Sequence, residues 1–88
     1  MTYVIYKGIK YEVISRELDL SSKNIEDITK IKGLTKITNL NGLNLSNNNI
    51  SKIEGLKKLV VLEKLELSNN RIKEISGLNT LEHLEMFN

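Results

Sequence analysis

The sequence predicts a repeat fold of the α/β-type solenoid class. Copies of a short strand and a tight helical return stack on one another, with a hairpin at the N-terminal end. Three observations predict it. The phrase Leu-x-Leu-x-x-Asn runs from Leu43 to Asn48 and again from Leu65 to Asn70. The apolar positions that follow each copy agree one for one. The first 17 residues stand outside that pattern and have a texture of their own.

The N-terminal stretch, TYVIYKGIKYEVI, holds two runs rich in Val, Ile and Tyr around Lys7-Gly8, the signature of a hairpin. Placed over the first repeat, it shields a core that would otherwise face water. Tyr3, Tyr6 and Tyr11 are expected to pack there, because aromatics in strands usually serve packing.

The second repeat reads Leu43, Leu45, Asn48, Ile50, Ile53, Gly55, Leu56, Leu59, Leu62. The third reads Leu65, Leu67, Asn70, Ile72, Ile75, Gly77, Leu78, Leu81, Leu84, a constant step of 22 residues. The step predicts Phe87 as the next inward position and the start of a fourth strand. An earlier copy begins at Leu18 and Leu20 and continues through Ile25, Ile28, Ile31, Gly33, Leu34, Ile37 and Leu40. It lies 25 residues before the second and carries one added x-x-Ile step. The expected organisation is a hairpin over 1–17 and repeats over 18–42, 43–64 and 65–86.

Each repeat has two periodicities. Leu-x-Leu alternates with period two, as a strand with one buried face does. From Ile50 to Leu62 the apolar residues step almost throughout by three, which suits a 3-10 or similarly tight return with one inward ridge. One copy cannot bury both; stacked copies can. The glycines at 33, 55 and 77 precede the Leu-x-x-Leu ridge, where a positive φ or a close approach is expected. No Gly-Lys-Ser/Thr follows any of them, so they do not read as a phosphate loop.

LEKLELSNNRI (62–72) and LNGLNLSNNNI (40–50) resemble the leucine-rich repeat family, and the 22-residue step resembles its short class, as in internalins and a protein phosphatase regulatory subunit. The resemblance covers about Leu18 to Asn88. It implies a right-handed, curved superhelix with parallel strands on the concave face, tight returns on the convex face and a protein as partner. It also implies that Asn48 and Asn70 point inward at the corner after the strand, where an amide can satisfy unpaired backbone groups. Lys23 stands at that place in the first repeat. An ammonium only donates, so Lys23 is expected in solvent and the first corner held by Asn24.

On this geometry the outward strand residues form the binding face: Glu17, Asp19, Asn44, Lys64, Glu66, Ser68 and Asn69, with Asn88 continuing the column of Asp19, Asn44 and Glu66. The face is polar and mildly acidic, which suits a basic partner segment. Lys30, Lys32, Lys36, Lys52, Lys57, Lys58 and Lys73 fall on the other side. The alternative reading is an assembly unit that self-associates as a homo-oligomer through an uncapped C-terminal end at Leu81, Leu84, Met86 and Phe87, whose strand edge has no partner.

Other chemistries find little support. There is no cysteine, so neither a disulfide framework nor a thiolate metal site. His83 is the single histidine and has no nucleophile motif beside it; no enzyme, metal or cofactor is expected. Thirteen basic against 11 acidic residues leave a net charge of +2, too balanced for a dedicated nucleic-acid surface. The longest apolar run, Leu59 to Leu62, cannot span a bilayer. The N-terminus lacks the basic and apolar segments of a secretory signal, so a cytoplasmic location is expected.

Overall fold

The computed structural model describes residues 1–87, with the side chains of Met86 and Phe87 outside the description together with Asn88. Strands β1 (Tyr3–Tyr6) and β2 (Ile9–Glu12) form an antiparallel hairpin. Its two-residue turn has Lys7 at φ 50° and Gly8 at φ 80°. Both central residues are left-handed, which matches the twist of the flanking strands. The hairpin inserts Val4 and Tyr6 into the core and bonds to the first repeat through reciprocal Ile5 and Lys32 backbone contacts.

Four short parallel strands make the main sheet: β3 (Glu17–Asp19), β4 (Gly42–Asn44), β6 (Lys64–Glu66) and β8 (Glu85–Phe87), in the order β3-β4-β6-β8. Leu18 pairs with Leu43 and Leu43 with Leu65, so equivalent leucines lie side by side beneath the sheet. A second, two-stranded parallel sheet joins β5 (Lys52–Ile53) to β7 (Glu74–Ile75) on the return side. Between the two layers the leucines and isoleucines of the repeats form one continuous core with the hairpin residues.

The returns differ from the helical expectation. Only the first repeat has 3-10 turns, at Ile28–Lys30 and Leu34–Lys36. Asp27 caps the first by accepting from the Thr29 N–H. The second and third repeats run extended through β5 and β7 and then in single turns, with Leu59 N–H donating to Leu56 and Leu62 N–H to Leu59. Period three is thus produced by successive three-residue turns as well as by helix. Among the described residues there is no α-helix, and the helical part of the returns is the pair of 3-10 turns in the first repeat.

The last strand also departs from the 22-residue step. Leu65 pairs with Met86, and Phe87 with Glu66. The backbone register of this strand therefore sits one residue before the position the repeat predicts. Among the described residues β8 is paired on one side only, so a single ladder sets its register. A one-residue slip there disturbs no further strand.

Candidate functional site

The corner asparagines explain why the strands end where they do. Asn48 is buried. Its Oδ1 accepts from the N–H groups of Lys23 (2.9 Å) and Ile25 (3.0 Å), and its Nδ2 donates to the carbonyls of Leu20, Leu45 and Ser46. Asn70 repeats the device one level on: Oδ1 accepts from Ile50, and Nδ2 donates to Leu45, Leu67 and Ser68. Each asparagine thus serves its own corner and the corner of the repeat before it. Asn48 already holds the first corner, and Asn24 takes no part through its side chain. Lys23 does not stand free in solvent; its ammonium lies 5.3 Å from the centre of the Tyr11 ring.

Above the main sheet lies an open groove of about 720 Å³. Glu17, Asp19, Asn44, Lys64 and Glu66 line it, so the structure brings five of the seven expected face residues together. Ser68 and Asn69 are elsewhere. The Ser68 carbonyl accepts from Asn47 and Asn70, while Asn69 occupies a left-handed corner at φ 56° and donates to the Asn47 side chain at 2.8 Å. Short polar side chains tolerate that conformation better than others, and both asparagines are committed to the stack.

The groove residues are not equally available. Asp19 accepts from the backbone N–H (2.9 Å) and hydroxyl (2.7 Å) of Ser21, and Asn44 makes the same pair of bonds with Ser46. The Ser21 hydroxyl, then its backbone N–H, hold the Asp19 carboxyl below the usual carboxylate range. Glu66 replaces the short acid or amide in the third repeat and makes no such bond. Glu17 and Lys64 form an ion pair at 3.4 Å.

One wall of the groove was not legible in the sequence. Lys10, Tyr11 and Glu12 of β2, with Ile14 and Ser15 of the following turn, border the same space. Tyr11 is half-buried and lines the groove, Tyr6 is buried as packing, and Tyr3 is exposed beneath the Lys10 ammonium at 4.7 Å. No motif marks this wall, because its place depends on how the hairpin docks. In the fold it is the tight Ser15-Arg16 turn that brings β3 back toward β2.

Residues 38–79, spanning the Asn48 and Asn70 corners, match the family model described as Leucine Rich repeats (2 copies). These residues are leucine-rich repeats. No curated protein matches the chain closely enough to count as a relative. Leucine-rich repeats generally mediate contacts between proteins and are typically non-enzymatic. Among the described residues of this chain, no cluster of three metal-ligating side chains occurs and no helix is long and apolar enough to cross a membrane. His83 is exposed.

The far end of the repeat stack is less enclosed than its middle. Ile53, Leu56 and Leu62 are fully buried, whereas their third-repeat equivalents Ile75, Leu78 and Leu84 are exposed or half-buried. Leu81 is buried and so offers no surface for self-association. The expected contacts of the Met86 and Phe87 side chains, and the place of Asn88 in the outward column, lie outside the described residues. On the return side, Lys52 is paired with Glu54 and Glu74, which breaks up the basic surface there.

Proposed function

We propose that this chain is a binding module that takes a protein segment bearing basic residues into the groove above the β3-β4-β6-β8 sheet. On this reading the stack is a right-handed solenoid, the sheet is its concave face, and Glu17, Asp19, Asn44, Lys64 and Glu66 are the contact residues. The observation that carries it is the groove itself. Five outward side chains converge there on a space large enough for a peptide, and its carboxylates outnumber its ammonium groups. With Glu17 and Lys64 paired to each other, Asp19, Glu66 and Glu12 leave an acidic surplus over Lys10. Such a surplus steers and orients a basic partner more than it adds raw affinity.

The test is selection of a displayed random twelve-residue library on the immobilised chain. Enriched peptides should carry lysine or arginine. Their binding should fall on Asp19→Asn with Glu66→Lys, while the unfolding midpoint stays put, because Asn44 shows that an amide supports the same serine bonds. Enrichment of acidic or uncharged peptides, or indifference to both changes, would overturn the reading.

The less enclosed third repeat favours a second reading, an assembly unit that meets a second copy through Ile75, Leu78 and the outer edge of β8. The molar mass in solution decides it. A monomer at high concentration counts against assembly, and a dimer dispersed by Ile75→Asp supports it.

A further inference from the structure

The groove contains an unfinished β-ladder. Ile14 and Glu17 exchange both backbone hydrogen bonds at 2.9 Å, closing a tight turn at Ser15 and Arg16, both left-handed at φ 53° and 63°. An antiparallel ladder begun this way would next bond Glu12 to Asp19, two residues back on one strand and two on along the other. It stops instead: Ile14–Glu17 is an isolated bridge. The next pair would set two carboxylates directly opposite, and like charges in that position are destabilising. Strands β2 and β3 splay apart from the turn, and the groove opens between them.

Main-chain alternation shows which groups this leaves open. Val13 N–H donates to Thr2 and Ile5 exchanges bonds with Lys32, so within the hairpin the bonded pairs are Tyr6 with Ile9 and Val4 with Tyr11. Lys10 and Glu12 fall between them, and their N–H and C=O groups point to the far side of β2, the side on which Ile14 meets Glu17. None of these four groups bonds to another described residue. The lining of the groove agrees. Lys10, Tyr11 and Glu12 are consecutive, and consecutive side chains of a strand point to opposite faces. All three border one space because the groove runs along the edge of β2.

We infer that a partner segment binds by adding a strand to this edge: an extended peptide, basic at the residues that meet Glu12 and Asp19, bonds to the main chain of Lys10 and Glu12. Edge addition takes its hold from main-chain bonds and its selectivity from side-chain contacts. Here a cationic side chain between Glu12 and Asp19 removes the repulsion that keeps the ladder open, and Tyr11 and Ile14 offer apolar surface beside it. The inference rests on the groove being the binding site and specifies how the segment lies in it.

The experiment uses a peptide selected from the random twelve-residue library on the full chain, and methylates its backbone nitrogens one at a time. Strand addition predicts losses at alternate positions over two to three residues, each about tenfold, the size of one hydrogen bond left unmade. On the protein, Lys10→Pro removes an open N–H while leaving the hairpin's internal ladder intact, and proline is tolerated on such an edge. It should weaken binding about as much, whereas Lys10→Gln, which removes a charge that repels a basic peptide, should not weaken it. Glu12→Pro repeats the test at the second open N–H if the first variant unfolds. Peptide methylation without alternating effect, or a folded proline variant that binds normally, overturns the inference. If Glu66→Lys still abolishes binding in that case, the groove reading stands and only the edge pairing falls. If neither matters, both fall. Peptide binding lost together with dimerisation of the free chain in Lys10→Pro would assign the edge to a second copy and also overturn it.

Discussion

The Glu17 carboxylate reaches the Lys64 ammonium, 3.4 Å away, across an intervening strand, and Gly42 is the residue beneath the crossing. A β-carbon at 42 would meet Glu17 Cγ at 3.2 Å and its carboxylate at 3.4 Å. Both charged side chains are more than half exposed, so the pair contributes at most about 1 kcal/mol.

Gly42→Ala should therefore be cheap. The atoms it displaces belong to a flexible surface side chain, and alanine in a strand gains about 0.5–1 kcal/mol over glycine. Stability in urea should change by less than about 1 kcal/mol in either direction. Gly33→Ala should cost about 1–2 kcal/mol, because its φ of 92° lies where a β-carbon is strained, although the space around it is ordinary. Equal costs at the two sites would show that φ is not what distinguishes them.

Asn48→Ala should be the most damaging polar change of the corners. It leaves the N–H groups of Lys23 and Ile25 and the Leu20 carbonyl without a partner, while the Leu45 and Ser46 carbonyls keep the Asn70 amide and the Ser22 N–H. A loss of about 3 kcal/mol is expected where single unsatisfied groups cost about 1–3. That is a large share of the roughly 5–10 kcal/mol available to a domain this small. Asn70, half-buried with four bonds, should cost less on the same substitution. The order is read from denaturant midpoints, and an Asn70 effect at least as large as that of Asn48 would contradict it.

The inward leucines were legible because both periodicities are local: a buried residue every second place in the strand, every third in the return. The inward asparagine was legible from its place after the strand. That it also serves the preceding repeat was not, since this needs the register between repeats. The groove wall was less legible still. Lys10, Tyr11 and Glu12 carry no pattern beyond that of a hairpin strand, and only the splay of β2 from β3 turns their edge toward Asp19. The last strand shows the limit of a fixed step: Met86, not Phe87, pairs with Leu65.

Lys23 explains itself through the same asymmetry. A corner asparagine bonds backward, to the preceding repeat, and before the first repeat comes the hairpin, which attaches by other contacts. Lys23→Asn should therefore gain nothing. It gives up the ammonium over the Tyr11 ring, worth about 0.5–1 kcal/mol at a partly exposed site, while the N–H groups of Lys23 and Ile25 are already held by Asn48. Stabilisation by more than about 1 kcal/mol would mean that the first corner is under-satisfied after all.

Acid should weaken the fold through two short hydrogen-bonded motifs. Asp27 accepts from the Thr29 hydroxyl (2.6 Å) and backbone N–H (2.9 Å), and these bonds lower its carboxyl below the usual range, as those of Ser21 do for Asp19. A carboxyl whose folded-state pKa is depressed contributes stability at pH values above its unfolded pKa of about 3.9. The contribution is lost as pH falls through the lower, folded value. Unfolding midpoints should be flat near neutrality in this respect and fall below about pH 4. In Thr29→Ala and Ser21→Ala the hydroxyl, the larger cause in each case, is gone, so each carboxyl should titrate closer to an ordinary aspartate by NMR. The acid loss should shrink accordingly, because less of the stability depends on the ionised form. If those carboxyls titrate unchanged in the alanine variants, the hydroxyl bonds are not what depresses them.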